Sequence, residues 1–447
     1  MLAQNAMLEQ NEYRLVLVRI GSQAIWVDRT DGALRLPRVT IPRWTRPAEQ
    51  LQRAIEADWD LRSIVLGFLP SKVDSAPCAV VEILFSRAHD SLTAASIDEI
   101  SGEEMTSEER EAVTAILSGN AHRPFSRIGW TREAMAWMRA ELGQDIEFTG
   151  EVRQFNASGS FALVRFSTQT GSAYWLKATG EPNAHEFHVT RMLAKLCPEY
   201  LPRQIAARED WNAWLMEDAG QPLDSMESPV LEEVVNSMSR VQRRTIGRTG
   251  EFLAAGALDQ RIGTLRTHLP ELTEYLQEAM AKQTSTKVTR LDRHRIFRLE
   301  AALRDACLRM EDVNIPDTLV HNDVNRGNLL FKGMRCCFTD WCEAGVGNPF
   351  LGFEYLCLLQ PRSGEDWRPR LWEAYKQCWI GFLEESAIDE AFAFSPLLAM
   401  LASLYGRSTW FYASRRNLPH VESYARSLAR HMDRAAQDPL LLEALCH

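Results

Sequence analysis

The sequence predicts an α+β protein in three parts, and three observations predict it. The first 145 residues mix β-branched, alternating runs with short helical periods. Residues 146–223 read as β-β-β-α-β-β, an antiparallel sheet with one helix against it. Residues 224–447 are mostly helical by apolar spacing, broken near 318–340 by short strands and loops.

The elements follow in order. Tyr13 to Ile20 and Gln23 to Asp28 alternate around a Gly-Ser turn and read as paired strands. Pro47 to Trp59 puts Leu51, Ala54, Ile55 and Asp58 on one helical face, and Ala79 to Phe85 is another strand. Thr106 and Glu109 have capping-box spacing ahead of a helix through Leu117, and Thr131 to Leu142 is a helix closed by Gly143. Three strands follow, Val152 to Phe155, Phe161 to Phe166 and Ala173 to Ala178. A helix then runs from Asn183 to about Leu196, and strands Ile205 to Arg208 and Ala213 to Glu217 come after it. Val230 to Arg243 and Arg293 to Met310 are helical. Trp372, Tyr375, Trp379 and Phe382 share a helical spacing further on.

A chain of 447 residues is too long for one compact core. Its net charge of −10 argues against a nucleic-acid binder. Nine cysteines include no CxxC pair, so neither a zinc site nor a disulfide framework is expected, and Cys336, Cys337 and Cys342 read as free thiols in a reducing compartment. The N-terminus lacks a basic region and an apolar core. The apolar stretch Pro396 to Tyr405 is shorter than a membrane span. A cytoplasmic protein without membrane contact is the expectation.

The decisive segment is LVHNDVNRGNLLFKGMRCCFTDWCEAGVGN, residues 319–348, which holds His321, Asp323 and Asn328 as H-x-D-x-x-x-x-N and then Asp340 after an apolar strand. Phosphoryl transfer needs a carboxylate by the acceptor hydroxyl, and oxygen ligands holding magnesium on the phosphates. Asp323 fits the first role, and Asn328 with Asp340 fit the second. The bland alternative makes Asp323 and Asn328 turn residues and Asp340 a strand-end cap.

HNDVNRGNLL followed by FTDWCEAGVGNP resembles the signature of the aminoglycoside phosphotransferase and choline kinase-like family, often written HGDLHPGN and then DW. The resemblance implies a bilobal, protein-kinase-like fold over residues 146–447, with a small antiparallel lobe (146–223) and a large helical lobe (224–447). It implies Asp323 as catalytic base, Asn328 and Asp340 as magnesium ligands, and His321 as the prop of the loop. Lys177 would contact the nucleotide phosphates with Glu186 as its partner, although Glu186 could equally close a capping box with Asn183. Ser158, Gly159 and Ser160 stand where a phosphate-covering loop belongs, and Met216, Glu217 and Asp218 where backbone groups would pair with the base. Asn322 and Asn325 replace the usual Gly and His. Gly352-Phe353 stands where the family often has Asp-Leu, which removes a buried carboxylate that braces the loop.

The implied activity is transfer of the γ-phosphoryl of ATP or GTP, with Mg2+, to a hydroxyl of a small molecule; the alternative is a pseudokinase that binds nucleotide without turnover. The chain reaches Pro349 within nine residues of Asp340, which leaves no room for a long activation segment and disfavours a protein substrate. Glu343, Glu354 and Asp366 read mainly as solvated charge, and Trp410, Phe411 and Tyr412 as core or interface residues. Leu51 to Leu61 resembles the helix of a Nudix domain, but Ala54 and Ala57 stand where glutamates would hold metal. Residues 1–145 are therefore read as a degenerate, non-hydrolysing domain for packing, homodimerisation or substrate recruitment.

Overall fold

The computed structural model describes all residues except 1–9, 31, 44–45, 71–75, 87–91, 223–227, 358, 360–365, 407–412 and 447. Trp410, Phe411 and Tyr412 thus lie outside the described residues. Two compact units divide the chain: Met1–Phe187 with Gln204–Asp218, and His188–Arg203 with Ala219–His447.

The first unit holds two sheets. The N-terminal one has seven strands, β1 (Gln10–Val18), β2 (Ile25–Thr30), β3 (Ala33–Arg35), β4 (Arg38–Pro42), β5 (Leu61–Leu69), β6 (Cys78–Ser86) and β7 (Leu92–Ala95). They run in the order β3-β2-β1-β6-β5, with β4 on β1 and β7 on β2. Only β1 and β6 pair in parallel. Helix α1 (Pro47–Trp59) buries Ala48, Leu51, Ile55 and Trp59 against one face of this sheet. Helices α2 (Ser107–Leu117) and α3 (Trp130–Leu142) contribute Val113, Leu117, Trp130, Ala134 and Met138 to the core on the other face. The expected capping box opens α2: Thr106 Oγ1 accepts from Glu109 N at 3.2 Å, and Glu109 Oε2 accepts from Thr106 N at 2.9 Å. The same carboxylate meets Arg14 at 2.6 Å. Burial works against its charge, but the Arg14 guanidinium and the Thr106 bonds hold it below the usual glutamate range.

The second sheet is antiparallel: β8 (Phe148–Ala157), β9 (Ala162–Thr168), β10 (Ala173–Ala178), β11 (Gln204–Arg208) and β12 (Ala213–Glu217), in the order β11-β12-β10-β9-β8. It shares one apolar core with the N-terminal sheet, in which Ile64, Leu66, Phe125 and Trp130 join Val152, Val164, Phe166 and Leu215. Where the edge strands β5 and β8 come together, side-chain amides stand in for a backbone ladder. The buried Gln154 accepts from Val65 N at 2.8 Å through Oε1 and donates to Val65 O at 2.9 Å through Nε2. Gln52 of α1 donates to Ser63 O at 2.8 Å and Val152 O at 2.5 Å, and accepts from Gln154 N at 3.0 Å. Two glutamines thereby satisfy backbone groups of both strands that would otherwise be buried without partners.

Helix α4 (Glu186–Leu196) begins three residues later than its apolar pattern suggests. Asn183 sits in a preceding turn, its N–H on Gly180 O at 2.8 Å and its carbonyl accepting from Glu186 N at 3.1 Å.

The second unit is mainly helical, with two three-stranded sheets. One is β13 (Gln221–Pro222), β16 (Leu329–Lys332) and β17 (Arg335–Phe338); the other is β14 (Leu258–Gln260), β18 (Gly345–Gly347) and β15 (Thr318–Val320). The apolar stretch Pro396 to Tyr405 belongs to a longer helix than expected, Glu385–Gly406, with 22 residues. Among the described residues it alone is long and apolar enough to cross a membrane by length and composition, yet 56% of its most apolar window is buried against the rest of the protein. Its Phe394, Leu398, Leu401 and Leu404 are part of the helical core. Of the cysteines, Cys336 and Cys337 are buried thiols, and Cys342 is half-buried.

The glutamine seam yields a stability test. Gln154→Leu keeps the side-chain volume but strands Val65 N–H and C=O, each costing about 1–3 kcal/mol. A lower unfolding midpoint in urea is expected for this variant, while a midpoint equal to the parent's would show that the seam contributes nothing.

Candidate active site

In the first unit the local sequence aims a basic side chain from a strand at a carboxylate on the next helix. Lys177, on β10, is buried, and its Nζ lies 2.5 Å from Glu186 Oε1 at the start of α4. Alternation along paired strands places Trp175 with Lys177 on one face of β10 and Trp214 with Met216 on the facing part of β12; Lys177 registers opposite Trp214, and Trp175 opposite Met216. Lys177 Nζ stands 5.7 Å from the centroid of the Trp214 ring. Phe187, Trp214, Met216 and Trp175 form a separate apolar cluster on this face. Sequence reasoning missed Trp175, Trp214 and Phe187, although a step of two residues from Lys177 along a strand identifies Trp175.

Met216 lies opposite both Trp175 and Gln204 on β12. The Asp218 carboxylate is engaged by Trp175 Nε1 at 3.2 Å and Arg165 Nε at 3.3 Å. Glu217 ends the strand opposite Tyr174. Ser158, Gly159 and Ser160 form the turn between β8 and β9, closed by Ser158 N donating to Phe161 O at 2.9 Å.

In the second unit a loop and a hairpin are tied at Thr339. Strand β15 leads into His321, whose Nε2 lies 2.9 Å from Thr339 O, while its Nδ1 is 3.3 Å from Asp323 N. These partners define a neutral imidazole with the proton on Nε2: it donates to the carbonyl and accepts from the loop amide. Trp341 packs on the His321 ring with centroids 4.5 Å apart. Asn328 Nδ2 donates to Asp323 Oδ2 and to Asp323 O, both at 2.9 Å. The hairpin of β16 and β17 returns the chain so that Thr339 N donates to Asn328 O at 2.9 Å, and Asp340 follows at once. Asp340 adopts φ 64°, a left-handed conformation costly for a residue with a Cβ. His321, Asp323, Asn328 and Asp340 are thus brought together by one loop and its hairpin.

Two departures from the family signature have structural answers. Asn322, also at positive φ, donates through Nδ2 to Gln260 Oε1 and to Glu343 O, the latter at 3.0 Å. At Gly352 an added Cβ would stand 3.0 Å from Val320 Cγ1 and 3.1 Å from Gln242 Nε2, so that space is taken. A neutral network braces the region: Gln242 Nε2 donates to Pro349 O at 3.2 Å, and Tyr375 OH reaches Gln242 Oε1 at 2.7 Å and Pro349 O at 3.0 Å. Complete burial pushes the Tyr375 phenol far above its ordinary range.

Asp323 also lines a cleft of about 820 Å³ within the second unit. Its walls include Leu359, Pro396, Ala399, Met400 and Leu428, and its polar groups include Tyr355, Ser403, Tyr424, Ser427 and His431. Burial and the nearby Arg434 and Arg430 lower the His431 pKa. Glu354 lines the cleft too, but not as solvated charge. It is held by Arg368 in a two-pronged pair with both contacts at 2.6 Å. Asp366 caps the following helix by accepting from Arg368 N at 3.0 Å, and Glu343 borders a smaller adjoining cavity.

For a divalent ion, no cluster of three or more His, Cys, Asp or Glu side chains is arranged to hold metal among the described residues. The donors that fit are the Asp340 carboxylate and Asn328 Oδ1, whose amide nitrogen is already spent on Asp323. One carboxylate and one amide oxygen suit magnesium, which takes its remaining ligands from water and phosphate.

Residues 181–386 match the profile of the family described as "Phosphotransferase enzyme family". The match spans α4, the loop that carries Asp323 and the Asp340 hairpin. No curated protein matches the chain at the sequence level. Among solved structures, a choline kinase from Cryptosporidium parvum Iowa II is similar at 13% identity and a TM-score of 0.49, over 70% of this chain and 97% of that one. A choline/ethanolamine kinase family protein from Mesorhizobium loti has 13% identity and a TM-score of 0.47, over 71% and 98%. The macrolide 2'-phosphotransferase of Brachybacterium faecium has 18% identity and a TM-score of 0.42, over 66% and 97%. The expected mix is present: an antiparallel sheet over β8–β12 and a mainly helical part after it.

The buried Lys177–Glu186 pair gives a test of its own. Glu186→Ala deprives a buried ammonium of its carboxylate, at a cost of about 3–5 kcal/mol. Exchanging both residues for Met and Leu is expected to recover most of that loss in a thermal melt at neutral pH. No recovery would mean that Glu186 supports the fold by some other contact.

Proposed function

We propose that this phosphotransferase moves the γ-phosphoryl group of ATP or GTP, as the magnesium complex, to a hydroxyl of a small molecule seated in the cleft beside Asp323. The observation that carries the reading is the joint at Thr339, which sets Asp323, Asn328 and Asp340 around one loop and hairpin. Lys177 would draw the α- and β-phosphates toward β10. The Ser158–Ser160 turn would cover them, with the Gly159 N–H open to a phosphate oxygen, and Trp175, Trp214, Phe187 and Met216 would form an apolar platform for the base.

Asn328 engages Oδ2 of Asp323, which leaves Oδ1 to accept the proton of the acceptor hydroxyl. As that proton moves to Asp323, the acceptor oxygen bonds to the γ-phosphorus and the bridging β–γ P–O bond breaks, releasing the nucleoside diphosphate. Magnesium held by Asn328 Oδ1 and Asp340 would neutralise charge on the phosphate oxygens. His321 touches no reacting atom; as a neutral prop it fixes the loop amide of Asp323 against Thr339.

The cleft also bears on the acceptor. Among the described residues its carboxylates are Asp323, reserved for chemistry, and Glu354, neutralised by Arg368. That lining suits an amphipathic hydroxylated molecule better than a polycation, which would need several unneutralised carboxylates.

Asp323→Asn is expected to abolish acceptor-dependent release of nucleoside diphosphate while leaving nucleotide affinity within about twofold. Turnover equal to the parent's in a screen of hydroxylated metabolites and antibiotics would remove Asp323 from the chemistry. For Asp340→Ala, calorimetric titration should show weakened binding of the Mg–nucleotide complex. Affinity unchanged in the presence of magnesium would refute its role as a ligand.

A further inference from the structure

The turn between β8 and β9 is held from outside its own sheet. Residues 123–126 connect α2 to α3 in the N-terminal part of the first unit, and they press on the tip of this turn. Phe125 N donates to Gly159 O at 3.2 Å. A Cβ added at Gly159 would stand 2.6 Å from Ser126 Oγ and 2.7 Å from Arg123 Cδ, so only glycine allows the approach. The connector is itself anchored. Phe125 is buried and meets Trp130 and Trp211 edge-on, with centroids 5.1 and 5.4 Å apart. Ser126 Oγ donates to Leu66 O at 3.4 Å.

Arg123 touches this turn directly. Its Cβ and Cδ both lie along Gly159, so the aliphatic stem runs beside the turn, yet the residue is exposed and joins no ion pair among the described residues. A guanidinium carried on that stem, with no carboxylate paired to it among the described residues, is suited to a phosphate group, which it can grip with two parallel N–H bonds.

We infer that the N-terminal domain completes the nucleotide site, its Arg123–Ser126 connector fixing the Ser158–Ser160 turn and Arg123 supplying a second cation for the phosphates. The inference rests on the nucleotide-site reading above and adds to it a residue that lies outside the phosphotransferase-family segment. It gives the N-terminal domain a task in phosphate binding that needs no hydrolytic chemistry of its own.

The test uses the full chain and calorimetric titration with ATP, GTP, ADP and adenosine. Arg123→Ala is expected to weaken the triphosphates five- to tenfold and ADP less, with adenosine unchanged; Arg123→Lys retains part of the affinity. The loss should shrink as salt rises, a dependence that a purely structural role would not produce. Lys177→Met serves as the reference. Loss of triphosphate affinity with Lys177→Met but not with Arg123→Ala overturns this inference alone. Unchanged affinity in both variants overturns it together with the nucleotide-site reading. Equal losses for adenosine and ATP in Arg123→Ala would assign Arg123 to general packing and likewise overturn it.

Discussion

Placement of the candidate catalytic groups depends on the two backbone groups of Thr339. Its carbonyl accepts a hydrogen bond from the His321 imidazole and its N–H is spent on Asn328, so one residue fastens the loop after β15 to the hairpin after it. Asp340 is then carried to its place by a single covalent step, at φ 64°. A left-handed aspartate costs about 1–2 kcal/mol, and it persists only where the surroundings over-determine the chain. Here the surroundings are the Thr339 bonds on one side and the buried Trp341 stacked on His321 on the other.

Much of this was legible in the sequence because it is local. Asp323 and Asn328 are five residues apart, and the apolar runs on either side of Lys332 and Arg335 could only pair as a hairpin. That pairing fixed where Asp340 would return. The helices α1, α2 and α3 announced themselves by period, by Pro47 at the start of the first and by the Thr106–Glu109 box of the second. What lay hidden was non-local. Gly345 and Gly347 are poor strand formers, yet they build the central strand β18. They do so because Gln260 lies where side chains would project: a Cβ on Gly347 would sit 2.7 Å from Gln260 O. Likewise, no spacing rule reveals that Glu354 is taken by Arg368, or that Gln242 and Tyr375 brace the region in which the family often places a carboxylate.

The Lys177 side of the site follows the same division. The family resemblance points to Glu186 as its partner, and the helix begins at Glu186 rather than at Asn183, which carries a capping signature but sits in a turn on Gly180. Met216 faces neighbours on both sides of β12. Strand order is a tertiary fact, and a sequence read in segments does not contain it.

The amides of Gln52 and Gln154 bear on how this chain can be taken apart. Edge strands are templates for aggregation unless something covers them. In the intact chain β5 and β8 shield one another through these two side chains. A fragment beginning near residue 146 would keep every residue of the catalytic motif and lose its shield along β8, together with the aromatic plug of Phe125 and Trp130 beneath Trp211. Such a fragment would invite self-association, so a proteolytic nick in this region would inactivate by precipitation before any catalytic group was touched.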